Sequence, residues 1–596
     1  MRIASYPATQ LRVTSRVRLP ASCAATAVVA LFCVSAIADD AVTPTTRPSA
    51  RPNIVLILAD DLGFSDIGCY GGEIATPNLD RLADAGLRMT QMYNTARCWP
   101  TRACLLTGYY AQQVNRDPAR QRPPWAALLP DLLKAAGYRS YHSGKWHVDG
   151  DALAGGFDRS YRFEDWDRYF TPKKHFLDDR PLPAVRPDDG YYATVAIAQY
   201  AIDFLAEHEA RYRERPFFLY LAFIAPHFPL HALPQDIARY RDCYAEGWDA
   251  VRTKRWKRLR EAGIVDCGLS APDPNFTPRY FKPDWLRIIG PGEIEHAVPW
   301  TDLTPQQQRL QATKMAIHAA MVDRMDREIG RVLEQIRKMG AWDNTLIVFL
   351  SDNGADATLL VRGEGHDRSA DAGSAASFLC LGPGWASASN APFRRHKIWV
   401  HEGGIATPCI LHWPTAIRSG GALRRTPAHV IDFVPTVLHL AGVSAPADWH
   451  GIERPPLPGK SLVPIFGGDV TIQRDCLYWH HEGNRALRIG DWKLVSEQES
   501  GGTWELYDLK SDRSESHDLA DQYPEKVKDM AAMWTRLDDE FHRQGSVSKQ
   551  AATRPAPSAT RRSTHQSVTA ARQDPVGDAR LLALSHEPAA CPSSDH

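Results

Sequence analysis

Asn53-Ile-Val-Leu-Ile-Leu-Ala59 is apolar at nearly every position, without the alternation of a strand that has one wet face. Such a run fits a strand buried on both faces of a parallel sheet. Phe217–Ile224 and Thr345–Leu350 repeat the pattern. Between these runs the period changes. Thr76-Pro77 opens a helix with Thr as N-cap and Pro at its first position, Leu79, Leu82 and Ala83 give it an apolar face, and Gly86 ends it. From about Gln306 to Met339, the positions Val322, Met325, Ile329, Val332, Leu333 and Ile336 keep helical spacing, with Gly340 as the stop. Buried strands alternating with helices predict an α/β fold: a large doubly wound domain with a mostly parallel sheet flanked by helices.

The last part of the chain has a different rhythm. Ala486–Ile489 and Trp492–Val495, joined by Gly490-Asp491, read as a hairpin, Trp504–Tyr507 as a further strand, and about Pro524 to Phe541 as a covering helix. That predicts a smaller C-terminal α+β domain with an antiparallel sheet over 470–545, after a catalytic-sized α/β domain over 53–469. Beyond it, 546–596 is Ser/Thr/Ala/Pro/Arg-rich with no period and reads as a disordered tail. At the other end, Arg12, Arg16 and Arg18 precede an apolar stretch from Ala24 to Ile37, and Ala36-Ile37-Ala38 then meets Asp39-Asp40. This is the order of a secretory signal over 1–38, followed by a Thr/Pro/Arg-rich linker over 39–52. The apolar stretch is short for a membrane span, and no later stretch is longer, so an exported protein, periplasmic or secreted, with no span after signal removal is expected.

Charge narrows the partners. Lys+Arg and Asp+Glu are each 70, so bulk electrostatics favours neither nucleic acid nor an anionic membrane, and an anionic substrate has to be held locally. The chain has 11 cysteines, of which Cys23 and Cys33 fall in the signal, too few for a dense disulfide framework and odd in number. An unpaired Cys in an exported protein needs a use, and Cys98 is the one singled out below.

In open α/β sheets ligands sit beyond the carboxyl ends of the strands. Here those ends are polar: Asp60-Asp61 after the first strand, Asp352-Asn353-Gly354 after the third apolar run, Pro226-His227 after the second, and Lys145-Trp146-His147 after a weaker strand around Tyr138–Tyr141. Asp60, Asp61, Asp352 and Asn353 are hard oxygen donors, which suits Ca²⁺ or Mg²⁺ rather than zinc. Either pair alone is more often a strand-ending turn, but two such pairs ending buried strands favour a metal. Cys98-Trp99-Pro100-Thr101-Arg102 leads into a short apolar helix, so Cys98 is expected at a helix N-terminus, where partial positive charge and Arg102 one turn on would lower its thiol pKa.

Cys98-x-Pro100-x-Arg102 with Leu106-Thr107-Gly108 resembles the maturation motif of the sulfatases, in which a separate enzyme converts the Cys to formylglycine. Asn53 to Asp61, Thr76 to Asp80, Gly144 to His147, Pro226-His227, Ser351 to Gly354 and Glu402-Gly403-Gly404 are similar to further landmarks of that family in the family's order, over roughly 50–545. The likeness is to the arylsulfatase-like branch, within the alkaline phosphatase superfamily. Thr101 departs from it, Ser or Ala being commoner there. The resemblance implies one divalent cation, Ca²⁺ in most of the family with Mg²⁺ as the alternative, on Asp60, Asp61, Asp352 and Asn353, touched also by an oxygen of the hydrated formylglycine at Cys98. It implies that Arg102 and Lys145 steady that diol, that Lys145, His227 and Lys397 contact the sulfate, and that His147 takes a proton from the second diol hydroxyl. A formylglycine-generating maturation enzyme is then an obligatory partner.

These groups suit hydrolysis of a sulfate ester. Cations aimed at the sulfate oxygens stabilise the developing charge, a diol hydroxyl attacks sulfur, His227 or Lys397 protonates the leaving alcohol, and the second hydroxyl expels sulfate. The long connections 151–190 and 228–300, rich in Trp, Tyr, Arg and Pro, are expected to wall the pocket, with Trp248, Arg252 and Arg255 in a segment resembling the arylsulfatase-like branch. Aromatic walls suit an aryl sulfate and a sulfated carbohydrate equally. Two other readings stay open: a phosphoryl or phosphonate ester hydrolase of the same superfamily, and an unmatured glycan-binding protein whose Cys98 stays a thiol.

Overall fold

In the computed structural model, which describes residues 51–546, the first apolar run forms β1 (Asn53–Ala59) with both faces buried. The predicted signal, the linker up to residue 50 and the tail beyond Ser546 lie outside the described residues. The large sheet continues with β2 (Leu87–Tyr93), β3 (Arg139–Lys145), β4 (Arg159–Phe163), β5 (His175–Leu177), β6 (Arg180–Pro181) and β7 (Phe217–Ala222). It is completed by β8 (Thr345–Ser351), β9 (Ala406–His412), β10 (Ala422–Arg424) and β11 (Ala428–His429). The strand order is β10-β2-β9-β8-β1-β7-β3-β4-β5-β6, with β11 also on β2. The centre, β8-β1-β7-β3-β4, is parallel throughout, while β9 runs antiparallel to both its neighbours and β5 and β6 add an antiparallel edge.

The pleat of β1 explains why a continuous apolar run is needed. Val55, Ile57 and Ala59 face a core shared with Leu79 and Leu82 of the helix Pro77–Ala85 and with Met325, Ile329 and Val332 of the long helix Pro305–Lys338. Ile54, Leu56 and Leu58 face a second core with Leu105 and Leu106 of the helix Cys98–Thr107 and Val434 of the helix Phe433–Ala441. With helices on both faces, every side chain of the strand leaves water.

The long helix starts as its sequence suggests. Thr304 accepts from the Gln307 backbone N–H while the Gln307 side chain returns to the Thr304 N–H, a reciprocal cap, and Pro305 takes the first position. Pro77–Ala85 starts differently from expectation. Thr76 occupies the cap position, but its hydroxyl accepts from Gly68 N–H and donates to Asp80. The free amides of Asn78 and Leu79 are met by Asp326 of the long helix, at 3.1 and 2.8 Å. A tertiary carboxylate thus does the local cap's work.

After a short pair, β12 (Asp448–Trp449) and β13 (Ile452–Glu453), the chain forms an antiparallel sheet of β14 (Leu477–His481), β15 (Asn484–Ile489), β16 (Trp492–Ser496) and β17 (Glu505–Asp508), covered by the helix Pro524–Gly545. The β15–β16 hairpin is the predicted one; β14 carried no clear signal. This sheet is tied to the large one: Trp479 Nε1 donates to Asn94 O at 2.8 Å and buried Lys493 pairs with Glu402, while Trp534 Nε1 of the covering helix donates to Trp479 O at 3.0 Å and fixes that strand. Among the described residues no helix is long and apolar enough to cross a membrane.

Candidate active site

Because β8, β1, β7 and β3 are adjacent and parallel, their carboxyl ends open side by side, with Ala59 paired to Ser351 and Gly144 to Ala222. Asp60-Asp61, Asp352-Asn353, His227 and Lys145 therefore meet without any long loop having to fold back. Two close approaches need glycine. A Cβ on Gly144, whose φ is +119°, would lie 1.9 Å from Ala222 O, and a Cβ on Gly354 would lie 1.9 Å from Gly403 O. The first lets β3 deliver Lys145; the second seats the turn after Asn353 on the Glu402-Gly403-Gly404 segment.

The residues read as catalytic or metal-binding converge. Arg102 is fully buried and donates through Nε and Nη2 to Asp352 Oδ2 at 3.0 and 2.7 Å, with Asp60 Oδ2 at 3.4 Å and Lys145 O at 3.0 Å. Lys145 Nζ donates to Asp60 Oδ2, and Lys397 Nζ lies 2.7 Å from Asp61 Oδ1. His227 Nδ1 contacts Phe228 O, and its Nε2 lies 3.8 Å from Asp61 Oδ2. The loop carrying it is held by the Tyr169 hydroxyl, which donates to Ile224 O and His227 O. His147 sits at φ +49°, its ring 4.1 Å from that of Trp166, its buried Nδ1 without a partner.

Cys98 is the first residue of its helix and is buried, and its sulfur groups with carboxylate oxygens of Asp60 and Asp352, all within 4.8 Å of one another. The expected activated thiol is corrected here. Burial pushes the Cys98 thiol up despite Lys145 and Lys397, and the Arg102 guanidinium is spent on the carboxylates. The argument from an unpaired Cys also weakens, since Cys69, Cys104, Cys267, Cys380, Cys409 and Cys476 are free thiols too. Thr101 has a plain structural use: its hydroxyl accepts from Thr95 N–H at 3.0 Å, which a Ser could also do.

The carboxylates are crowded. Burial, with the charges of Asp60, Asp356 and Asp352 and against Lys397, pushes Asp61 up to about 7, and burial with Asp60 raises Asp352. Lys145 and Arg102 hold Asp60 well below the usual range against its burial. Two buried oxygens, Asp60 Oδ1 and Asn353 Oδ1, have no hydrogen-bond partner, while Asn353 Nδ2 donates to Asp61 Oδ1 at 2.7 Å and so fixes the amide with its oxygen free. Orphaned oxygens among crowded carboxylates fit a hard divalent cation. Burial, then Lys145, lowers both His227 and His147 well below the usual imidazole value, so both are neutral.

Asp356, four residues after Asp352, was not picked out from the sequence. Its Oδ2 lies 3.0 Å from Lys397 Nζ, and its place two residues beyond the Asp352-Asn353-Gly354 turn was the available signal. Trp166, over Lys145 Nζ at 4.7 Å, had none beyond its place in an aromatic connection. The expected pocket role of Trp248, Arg252 and Arg255 is corrected. Trp248 is buried against Trp300 and Trp385, Arg252 bonds Ser270 and Ser387 backbone oxygens, and Arg255 pairs with Asp66 and Glu73. They brace the connection instead of lining the site.

Comparison with known proteins agrees with this geometry. Residues 52–443 match the Sulfatase family model, and 394–543 match the model of the N-sulphoglucosamine sulphohydrolase C-terminal region. An uncharacterized sulfatase of Schizosaccharomyces pombe is 31% identical over 538 residues, covering 82% of this chain and 93% of the relative. An arylsulfatase of Klebsiella aerogenes is 33% identical over 462 residues, covering 71% and 91%. The crystal structure of Ps i-CgsB in complex with k-i-k-neocarrahexaose shares the fold, with TM-score 0.59, 24% identity and coverage of 83% and 94%. The family match spans the whole parallel sheet and every strand end that carries a charged side chain into the site, so the chain belongs to the sulfatase family and is a sulfuric ester hydrolase.

Proposed function

We propose that the chain hydrolyses a sulfate ester on a sugar or an aryl alcohol, with formylglycine formed from Cys98 as nucleophile and a divalent cation on Asp60, Asp61, Asp352 and Asn353. The observation that carries this is the setting of Cys98. It is a neutral, buried thiol, a poor nucleophile as it stands, placed at a helix start beside Asp60 and Asp352 and within the field of Lys145 and Lys397. Conversion gives that position a use.

Position 98, once converted and hydrated, would supply one hydroxyl as the nucleophile toward sulfur and a second whose deprotonation would allow sulfate to leave. The cation, Ca²⁺ with Mg²⁺ as the alternative, supplies Lewis-acid polarisation of the sulfate oxygens when bound. The chain's own groups do the rest. Arg102 fixes Asp352 and Asp60 in place, and Lys145 and Lys397 meet the negative charge of the sulfate. The leaving alcohol needs a proton. His227 is neutral, with Nδ1 engaged by Phe228 O, whereas Asp356 and Asp61 hold Lys397 in its charged form, so Lys397 is the better-placed donor. His147, neutral with a partnerless Nδ1, accepts the proton of the second hydroxyl.

The leader at 1–38 is proposed to export the chain to the periplasm or beyond, with a formylglycine-generating enzyme acting on it first. The 53–469 and 470–545 divisions are proposed as the catalytic and C-terminal units. The test is a comparison of rates on the sulfate and phosphate monoesters of one phenol by protein whose Cys98 is converted. Faster sulfate hydrolysis supports the reading; faster phosphate hydrolysis makes the chain a phosphoryl ester hydrolase; glycan binding with no turnover makes it a binding protein.

A further inference from the structure

Arg97 precedes the nucleophile position and caps its helix, yet nothing in the mechanism uses it. Its guanidinium carbon lies 4.9 Å from the Trp99 ring centroid and 5.8 Å from that of Tyr280. Its Nε is buried with no hydrogen-bond partner, and among the described residues no ion pair includes it. The other arginines around the site differ. Arg102 has Asp352 and Asp60, and Arg395 has Glu497 and Asp273. The acids whose charge Arg97 feels are committed elsewhere: Asp356 to Lys397 at 3.0 Å, and Glu482 to the Tyr280 hydroxyl at 2.6 Å and to Arg279 at 3.4 Å. Contact with aromatic faces compensates a partly desolvated guanidinium only in part.

Tyr280 is the second anomaly. Large hydrophobic side chains are exposed at only three described positions, Tyr280, Val470 and Tyr523, and Tyr280 is the most exposed, at 46%. It is also held at φ +64°, an unfavourable conformation for an aromatic residue, by hydrogen bonds from its hydroxyl to both Glu482 oxygens. Glu482 sits in the β14–β15 turn, itself at φ +48°, and the adjacent His481 ring packs 5.5 Å from Trp99. Three separate stretches, the helix start at 97–99, the connection around 280 and the turn at 481–483, thus build one outer wall beside Cys98. That wall offers an exposed ring and an uncommitted cation. The charge of the reacting sulfate is already met by Lys145 and Lys397, so Arg97 is free for another anion.

We infer that Arg97 and Tyr280 form an outer subsite for a sugar leaving group that carries a second anion, a sulfate or a carboxylate. The Tyr280 ring stacks on the sugar and Arg97 pairs with the anion. This rests on the sulfate-ester reading and narrows its substrate to polyanionic glycans over simple aryl sulfates.

The test is calorimetric binding to the full-length Cys98→Ala chain with calcium, which leaves substrates uncut. The probes are a monosulfated hexosamine, its disulfated counterpart, and a monosulfated disaccharide containing a uronate; the last two separate a sulfate from a carboxylate source. The expected result is at least a tenfold preference for one of the dianionic sugars, shrinking with added salt, and collapsing to within about twofold when Arg97→Gln is added. Arg97→Lys, which keeps the charge, should retain part of the preference and guards against a folding artefact. Equal affinity for mono- and dianionic sugars, a preference that survives Arg97→Gln, equal weakening of all sugars by that change, or no binding of any dianionic sugar each overturns the inference. The underlying reading is judged separately, by release of inorganic sulfate from the same three sugars and from 4-nitrophenyl sulfate by converted wild-type protein, where failure means that none of the four is cut. If that fails while the Arg97-dependent preference holds, the chemistry is wrong and the subsite stands.

Discussion

Replacing Arg102 with Ala isolates the electrostatics of the site. Its guanidinium is fully buried, 2.7 Å from Asp352 Oδ2 and 3.4 Å from Asp60 Oδ2, and also holds Lys145 O at 3.0 Å. Removing one partner of a buried ion pair costs about 3–5 kcal/mol because the other charge is left without compensation. Here two carboxylates lose their shared cation and keep Lys145 and the charge of Lys397. A divalent ion on the same oxygens would offset that loss, and one present at about a hundredfold its Kd stabilises the wild type by about 2.7 kcal/mol. The metal-site account therefore expects a coupling. In chelator, Arg102→Ala should melt several degrees below wild type, and calcium should raise the variant more than it raises the wild type. The assay is thermal unfolding of both proteins in chelator and in graded calcium. Arg255→Ala is the control: Arg255 is equally buried and pairs with Asp66 and Glu73 away from the proposed ion, so it should lose stability without any extra calcium response. Calcium shifts that are equal in Arg102→Ala and wild type, or absent from both, would refute the reasoning.

Three further outcomes are expected. His142, His396 and His429 are buried and pushed down to about 3, so each is neutral in the fold and protonates on unfolding below the ordinary imidazole value. With folded values below unfolded ones, their contribution is present above pH ~6.5 and lost as pH falls, by about 4 kcal/mol per pH unit for three protons around pH 5; stability measured from pH 8 to 4.5 should drop steeply, and a flat profile counts against it. Asp356→Asn removes one of the two carboxylates steadying Lys397 and should lower kcat on a sulfate ester by up to about 100-fold, whereas unchanged kcat would leave Asp356 a bystander. Trp479→Ala deletes a buried ring and its hydrogen bond to Asn94 O and should destabilise the chain by about 3–5 kcal/mol, read by denaturant unfolding, with a loss below about 1 kcal/mol refuting the tie between the two sheets.

The elements that the sequence exposes are those whose burial is complete. Residues 53–59 and 345–350 fall inside β1 and β8 because strands with two dry faces leave no polar position to blur the pattern. The site follows from them, since parallel neighbouring strands place the residues after their ends together, and the side chains read from those ends converge. What was hidden depends on contacts distant in sequence. The amide cap from Asp326 comes from 248 residues along the chain, and Thr76 could not advertise its absence. The state of Cys98 depends on burial and on Arg102 turning to Asp352, which helix spacing does not determine. Trp248, Arg252 and Arg255 look like pocket residues by type and are buried braces by packing. Tyr280 and Arg97 gave no periodic signal because an irregular connection and a helix cap carry them.

The central claim is that turnover runs through a converted Cys98. Protein prepared with graded amounts of maturation enzyme can be digested at Arg97 and Arg102, alkylated, and weighed as the Cys98 peptide, in which formylglycine is about 18 Da lighter than the thiol and escapes alkylation. Plotted against that converted fraction, sulfate release per molecule should rise linearly from zero. Turnover by fully alkylatable protein, or none from fully converted protein with calcium and a range of sulfate esters, would contradict it.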